Sequence, residues 1–377
     1  MTVTYALAAL VALLVILIVK KSRRSKGAEW ARTSFDPAAY GLVPRERLTA
    51  ARGGPPISVE RRRESQAIAD AAWGGNWRPA AAHVEAAGQD WDERWSRLEL
   101  LASIAQENDG WLASWRTADP DSCDAAVLEA KHMVHNAWEI RGYGYAPDVP
   151  AANMARFREL LPAGIEAAQR AALLAPQDPA PWVVMVTAAR GAQYKPAQFR
   201  PLWAELTARA PHHFEGHWQA MQYWCAKWFG SDKKMLSFAK RAMDRAPAGS
   251  ALPGIYLFAL SELEKRNTLG TVLDGELGRQ RLRKVSAALA GLPADDERLP
   301  TMRHLLAHYC GRAGLYTKAL EQFRLIGRWC GAAPWTDHPD PVAAFDLARG
   351  MAVKLSNARP LPPEMRPAKA DAHHYKV

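Results

Sequence analysis

Residues 175–247 read APQDPAPWVVMVTAARGAQYKPAQFRPLWAELTARAPHHFEGHWQAMQYWCAKWFGSDKKMLSFAKRAMDRAP. Ala-Pro pairs punctuate this stretch: Ala175-Pro176 to Ala210-Pro211 is 35 residues, and on to Ala246-Pro247 is 36. That is the period of a stacked helix-turn-helix solenoid, in which no unit buries its apolar face without a neighbour. After each pair come a few polar or small residues and then an aromatic that opens the next helix, Trp182, Trp218 and Tyr256. Chains built this way expose extended binding surfaces.

Outward from this stretch, helix-period apolar residues run from about Arg61 to about Ser356, and nothing shows the strict alternation of a half-buried strand. The expected fold is all-α, with about seven helical hairpins over residues 61–358. They fall at 61–87, 91–118, 122–174, 178–209, 213–245, 250–290 and 300–329, and a last helix at 340–356 covers the end. The sixth carries an insertion at 267–278.

The seventh hairpin contains Gly314-x-Tyr316-x-x-Ala319-Leu320-x-x-Phe323, and the first repeats the idea as Gly75-x-Trp77-x-x-Ala80. These strings resemble the second half of a tetratricopeptide repeat, in which glycine turns the chain, an aromatic fills the space between helices and alanine lets the paired helices approach. The fifth hairpin is similar to a bacterial tetratricopeptide-like domain family of unknown function with a Trp-x-Gly-Ser turn. The matching positions are Trp228, Gly230, Ser231, Met235, Phe238 and Ala239. The resemblance implies helical stacking and carries no activity with it.

The N-terminal end reads differently. Val3 to Val19 is uncharged and is followed by KKSRRSK at 20–26. As a helix the apolar run is roughly 26 Å long, against a hydrocarbon core of about 30 Å, and its flanking lysines can snorkel. Cations behind the run and none before it argue against a cleaved signal peptide. They predict a single-pass inner-membrane protein with its N-terminus outside and its C-terminal domain cytoplasmic. Residues 27–60, rich in Pro and Gly, are expected to be a flexible linker, and 359–377 a Pro-rich disordered tail.

The formal net charge of +10 sits almost wholly in residues 20–63 and in the tail from Arg359. A near-neutral body argues against a nucleic-acid groove, which needs distributed cations, and no nucleic-acid partner is expected. The four cysteines, Cys123, Cys225, Cys310 and Cys330, form no CxxC pair. They read as reduced thiols packed in helices, with two disulfides the formal alternative.

Fifteen tryptophans include pairs at i, i+4: Trp73 and Trp77, Trp91 and Trp95, Trp111 and Trp115, Trp224 and Trp228. The first straddles a glycine turn. Most are expected to pack between helices; some could instead line a groove and anchor a peptide. The groove candidate is a helix at 213–229, where His217, Met221, Trp224 and Trp228 form one stripe and Lys227 lies near the turn. The candidate partner-binding residues are therefore His217, Trp224, Lys227 and Trp228. The candidate packing residues are Gly75, Trp77, Ala80, Gly230, Ser231, Gly314, Tyr316, Ala319 and Phe323.

Histidines at His213/His217, His304/His308 and His132/His135 have spacings compatible with two ligands on one helix face. None completes the HExxH motif, because Glu215 stands two residues after His213. No phosphate loop, GxSxG elbow or dinucleotide loop is present, and no cofactor is expected. The sequence thus leads to a membrane-anchored helical-repeat scaffold for a protein or peptide partner. Its rivals are a membrane-anchored metal-dependent or hydrolytic enzyme with a site between central hairpins, and a structural subunit of a membrane assembly.

Overall fold

The computed structural model describes residues 2–142 and 148–366; in the first helix, side chains are described at Val15, Ile18 and Val19 and from Lys21 onward. Among the described residues the chain is helical and has no strand beyond one isolated bridge between Thr49 and Trp329. After α1 (Thr2–Thr33) come α2 (Val59–Trp73) with α3 (Arg78–Glu85), α4 (Trp91–Glu107) with α5 (Gly110–Ala118), and α6 (Cys123–Arg141) with α7 (Ala151–Leu174). Then follow α8 (Ala180–Gly191) with α9 (Pro196–Arg209), α10 (Phe214–Tyr223) with α11 (Asp232–Arg245), α12 (Ile255–Lys265) with α13 (Gly275–Ala290), α14 (Leu299–Arg312) with α15 (Tyr316–Ile326), and a closing α16 (Pro341–Ser356).

The Ala-Pro pairs mark the ends of second helices, as the period predicts. Helix α7 stops at Leu174, α9 at Arg209 and α11 at Arg245, each one residue before its Ala-Pro pair. Proline removes a backbone donor and biases the residue before it away from helical geometry. Helix starts carry their own signals: Ser58, Asp90, Ser122, Ser231 and Asp340 each accept a hydrogen bond from a backbone N–H of the first turn.

Two compact units are present, a continuous one, Ile57–Glu262, and a discontinuous one formed by Met1–Pro56 together with Leu263–Val377. In the continuous unit successive first helices pack on each other, α4 on α6, α6 on α8 and α8 on α10. A polar clamp ties three of these elements. Arg94 of α4 donates to both carboxylate oxygens of Asp124 at 2.6 and 2.7 Å and lies 3.5 Å from Asp178, whose other oxygen accepts from the Ala180 N–H at the start of α8.

In the discontinuous unit the N-terminal segment lies along α14–α16. Gly27 approaches Leu355, Ala31 is buried, and the Trp30 ring lies under the Lys354 ammonium. Arg24 donates to the Arg312 carbonyl, Arg324 to that of Tyr40 and Arg349 to that of Val43. The Thr49 N–H donates to the Arg328 carbonyl and the Cys330 N–H to that of Thr49. His304 donates from Nε2 to the Gly53 carbonyl and accepts at Nδ1 from the Trp335 indole.

These contacts correct two expectations. Residues 27–60 are not a tether between domains: they finish α1, form short 3-10 turns at Ala38–Tyr40 and Arg45–Arg47, and bury Ala38, Ala39 and Leu42. Nor is 61–358 one uninterrupted domain, since its last third belongs to the same unit as the N-terminus. Of the expected disordered tail, Leu361 donates to the Ala39 carbonyl, and residues 367–377 lie outside the described residues.

The expected membrane placement is overturned. Among the described residues no helix is long and apolar enough to cross a membrane. The apolar stretch from Val3 is not a separate span: it is the first part of a 32-residue helix that continues through the basic flank and docks its C-terminal end on α16. The expectation of a single-pass inner-membrane topology, with an outside N-terminus and a cytoplasmic C-terminal domain, does not hold.

A candidate partner-binding face on the repeat stack

The expected stripe on one helix from 213 to 229 does not form. Helix α10 ends at Tyr223, and residues 224–229 turn back on themselves. That turn requires glycine at position 230, because a Cβ there would stand 1.6 Å from the Trp224 carbonyl oxygen. Ser231 then caps α11 by accepting from the Lys234 N–H. The Trp-x-Gly-Ser string therefore has a local physical basis: glycine for close backbone approach and serine for a helix start.

Breaking the stripe separates its members. His217 is buried, its ring against Trp203 and Phe238 and its Nδ1 in hydrogen-bond contact with the His213 carbonyl. Burial pushes its pKa down to about 4. Trp224 packs edge-on to Phe199 and Tyr223. Trp228 points elsewhere, its ring edge-on to Trp138 at 5.8 Å, and Lys227 pairs with Glu262 at 2.9 Å. His217 and Trp224 thus serve packing, while Lys227 and Trp228 join a different set of residues.

That set runs across the first helices of consecutive pairs. Glu215, Gln219 and Gln222 fall at i, i+4 and i+7 and share one face of α10. Glu215 accepts from Gln219 at 2.7 Å, and Gln219 accepts from Arg190 of α8 at 2.7 Å. Gln222 donates to Glu262 of α12, which also receives Lys227. Toward α4 the row continues through Lys131 of α6, which donates to Glu99 at 2.9 Å and lies over the Trp95 ring. The result is one line of charges and amides from α4 to α12 with Trp138 and Trp228 set into it.

Arg190 is the centre of this line. Its guanidinium carbon lies 5.0 Å from the Trp138 ring centre and 5.9 Å from that of Trp228. Among the described residues its one hydrogen-bonded acceptor is the neutral Gln219 amide, and neither its Nε nor the Trp138 Nε1, both buried, finds an acceptor. Burial lowers the Arg190 pKa to about 10, with Glu215 and Glu262 pulling the other way. The Glu215 carboxyl is held above its ordinary range by burial and by Glu99. Such a guanidinium favours a carboxylate or carbonyl oxygen presented to it in fork geometry.

Gly75 and Gly314 have φ of 85° and 78°, the left-handed geometry that glycine adopts freely. Ala80 and Ala319 are wholly buried, Trp77 stacks on Trp115 at 5.6 Å, and Phe323 packs against Phe345 and Trp335. Tyr316 opens α15. Trp111 and Trp115 are buried side by side on α5.

The histidine pairs have separate partners. His132 lies 3.4 Å from Asp109, His135 faces Glu139, His308 pairs with Glu264, and His304 is held between Gly53 and Trp335. Among the described residues no group of three or more His, Cys, Asp or Glu is placed to hold a metal ion. None of the four cysteines is in a disulfide, and burial pushes Cys123 and Cys310 up to about 12.

Sequence reasoning missed Arg190, Trp138, Glu215, Gln219 and Glu262. The available signal was the Glu215, Gln219, Gln222 spacing, an unusually polar stripe on a helix that is otherwise apolar. Comparison with known proteins finds no family model, no curated protein and no solved structure that matches this chain.

Proposed function

We propose that the protein is a tetratricopeptide-like helical-repeat scaffold that binds a peptide segment of a protein partner along the line from Glu99 to Glu262. The observation that carries this reading is Arg190. It is a half-buried guanidinium between two tryptophan rings with a single neutral acceptor. Packing alone would favour an apolar side chain at such a place, because a buried charge without a directly bonded carboxylate is costly. A peptide carbonyl or carboxylate supplies the missing acceptor, and the tryptophans supply rigid contact area. The repeat stack gives the line its length, since each first helix adds one position.

The test is site-specific photo-crosslinking in cells. A crosslinker at exposed Ala226, beside Lys227, should capture a partner that one at exposed Glu159 on α7 does not. Arg190→Gln should remove that product while the helical content and melting curve are retained. Equal capture from both positions, or capture unchanged by Arg190→Gln, contradicts the assignment.

A further inference from the structure

A second place in the molecule has an unneutralised cation in an apolar setting. In the discontinuous unit a groove of about 450 Å³ is lined by α13 and α15 together with Arg303 of α14. This lies within the size of pockets that hold ligands, roughly 300–1,000 Å³. Ala287, Ala290 and Leu325 form apolar lining, and Leu325 is 57% exposed. Small residues on α13 opposite an exposed leucine on α15 leave room for an incoming apolar side chain.

Cations stand on all three helices around this lining: Arg283 on α13, Arg303 on α14, Lys318 and Arg324 on α15. Glu321 is the one carboxylate among the lining residues, and Lys318 already holds it at 2.8 Å. Arg283 is engaged by Glu276 outside the groove, and Arg324 is held at the rim by the Tyr40 carbonyl. Exposed pairs such as Lys318–Glu321 contribute little and exchange readily for another carboxylate. Arg303 differs from the others. It is half-buried, its pKa is lowered by burial, and no hydrogen bond or ion pair among the described residues engages it.

We propose that this groove docks an acidic peptide segment of a partner, an apolar side chain against Ala287, Ala290 and Leu325 and carboxylates on Arg303 and the flanking cations. The distribution of charge selects this occupant. A single-headed anion would use cations from one place, whereas these come from three helices around an apolar lining and suit several carboxylates flanking an apolar residue. The site is separate from the line through Arg190 and does not depend on it.

The test is fluorescence anisotropy on the full chain with a fluorescein-labelled Glu-Glu-Leu-Glu-Glu-Leu peptide. Saturable binding that weakens as salt is raised is expected, with no binding of the Lys-Lys-Leu-Lys-Lys-Leu counterpart. Arg303→Gln should weaken it tenfold or more, while Arg158→Gln, at an exposed position on α7, should leave it unchanged. If Arg303→Gln does not fold, Leu325→Glu, a change at an exposed position, should abolish binding with the melting curve intact. Equal affinity for the lysine peptide, or wild-type affinity in the folded variants, overturns the proposal. So does full displacement of the peptide by an equal concentration of decanoate or inorganic phosphate, which would assign the groove to a single-headed anion.

Discussion

In the continuous unit most side-chain hydrogen bonds between helices join residues about one repeat apart, 29 from Arg190 to Gln219, 30 from Arg94 to Asp124, 32 from Lys131 to Glu99 and 40 from Gln222 to Glu262, although Asp92 also accepts from the Phe214 N–H across 122. In the discontinuous unit the corresponding links reach across most of the chain, 251 from His304 to Gly53, 284 from Arg324 to Tyr40 and 306 from Arg349 to Val43. Both are made of helical pairs, yet one is held by neighbours in sequence and the other by an N-terminal segment that returns to cover the last pairs. A stack of repeats needs its end covered. Here α16 and residues 22–56 share that task, and donors from the C-terminal helices satisfy the carbonyls of a non-helical segment.

The strongest test of this difference is Arg349. It is fully buried, hydrogen-bonded to Asp346 and to the Val43 carbonyl. Arg349→Ala leaves the Val43 carbonyl without its donor and the Asp346 carboxylate with only Arg45, 3.7 Å away, at a cost of about 3 to 5 kcal/mol. Hydrogen exchange should show protection lost in α14–α16 and retained in α6–α10. Uniform loss over both units would merge what the links keep apart.

A pH titration sharpens the comparison at His304. Burial lowers its pKa to about 4, and a neutral ring is needed to accept from the Trp335 indole. The unfolded chain, with an ordinary histidine value of about 6.5, binds more protons between those limits. The His304 contribution is therefore complete above pH 6.5 and is lost as pH falls toward 4, about 3 kcal/mol in all. His217 acts in the same direction in the continuous unit. Buried Glu215 and Asp124, raised above their ordinary range, act in the opposite one. Melting of His304→Asn against wild type isolates the residue: the variant should lose less stability between pH 6.5 and 4, and parallel curves would contradict the assignment.

How far each unit was legible follows from the same contrast. Helix boundaries such as 123–141, 151–174 and 341–356 could be read closely because caps, prolines and apolar period are local signals. Closure of the discontinuous unit could not, because nothing in GLVPRERLTAARGG announces that its carbonyls face Arg349 and His304. The face through Arg190 was half legible: the helical period reaches Lys227 and Trp228, but along a helix that ends at Tyr223. Period-based reading carried His217 and Trp224 along with them, since an i, i+4 rule holds only while the helix continues.

Smaller effects probe each unit at one packing position. Ala319 is wholly buried on α15, so Ala319→Phe overpacks the seventh pair by roughly 1 to 3 kcal/mol. Circular dichroism should show an earlier melt; an unchanged transition would mean the pair packs otherwise. Ser231→Ala removes the α11 cap in the continuous unit and should cost about 1 kcal/mol. Faster exchange confined to the start of α11 is the expected signature, and exchange unchanged there would deny the cap.

The most direct measurement takes the two units apart. Residues 57–266, which keep α12 whole, are predicted to melt cooperatively as a helical unit by circular dichroism. Residues 263–366 alone should not, and should gain a cooperative transition when a peptide of residues 22–56 is added in excess. A cooperative melt of 263–366 alone, unaffected by that peptide, would contradict the account that the N-terminal segment closes the unit.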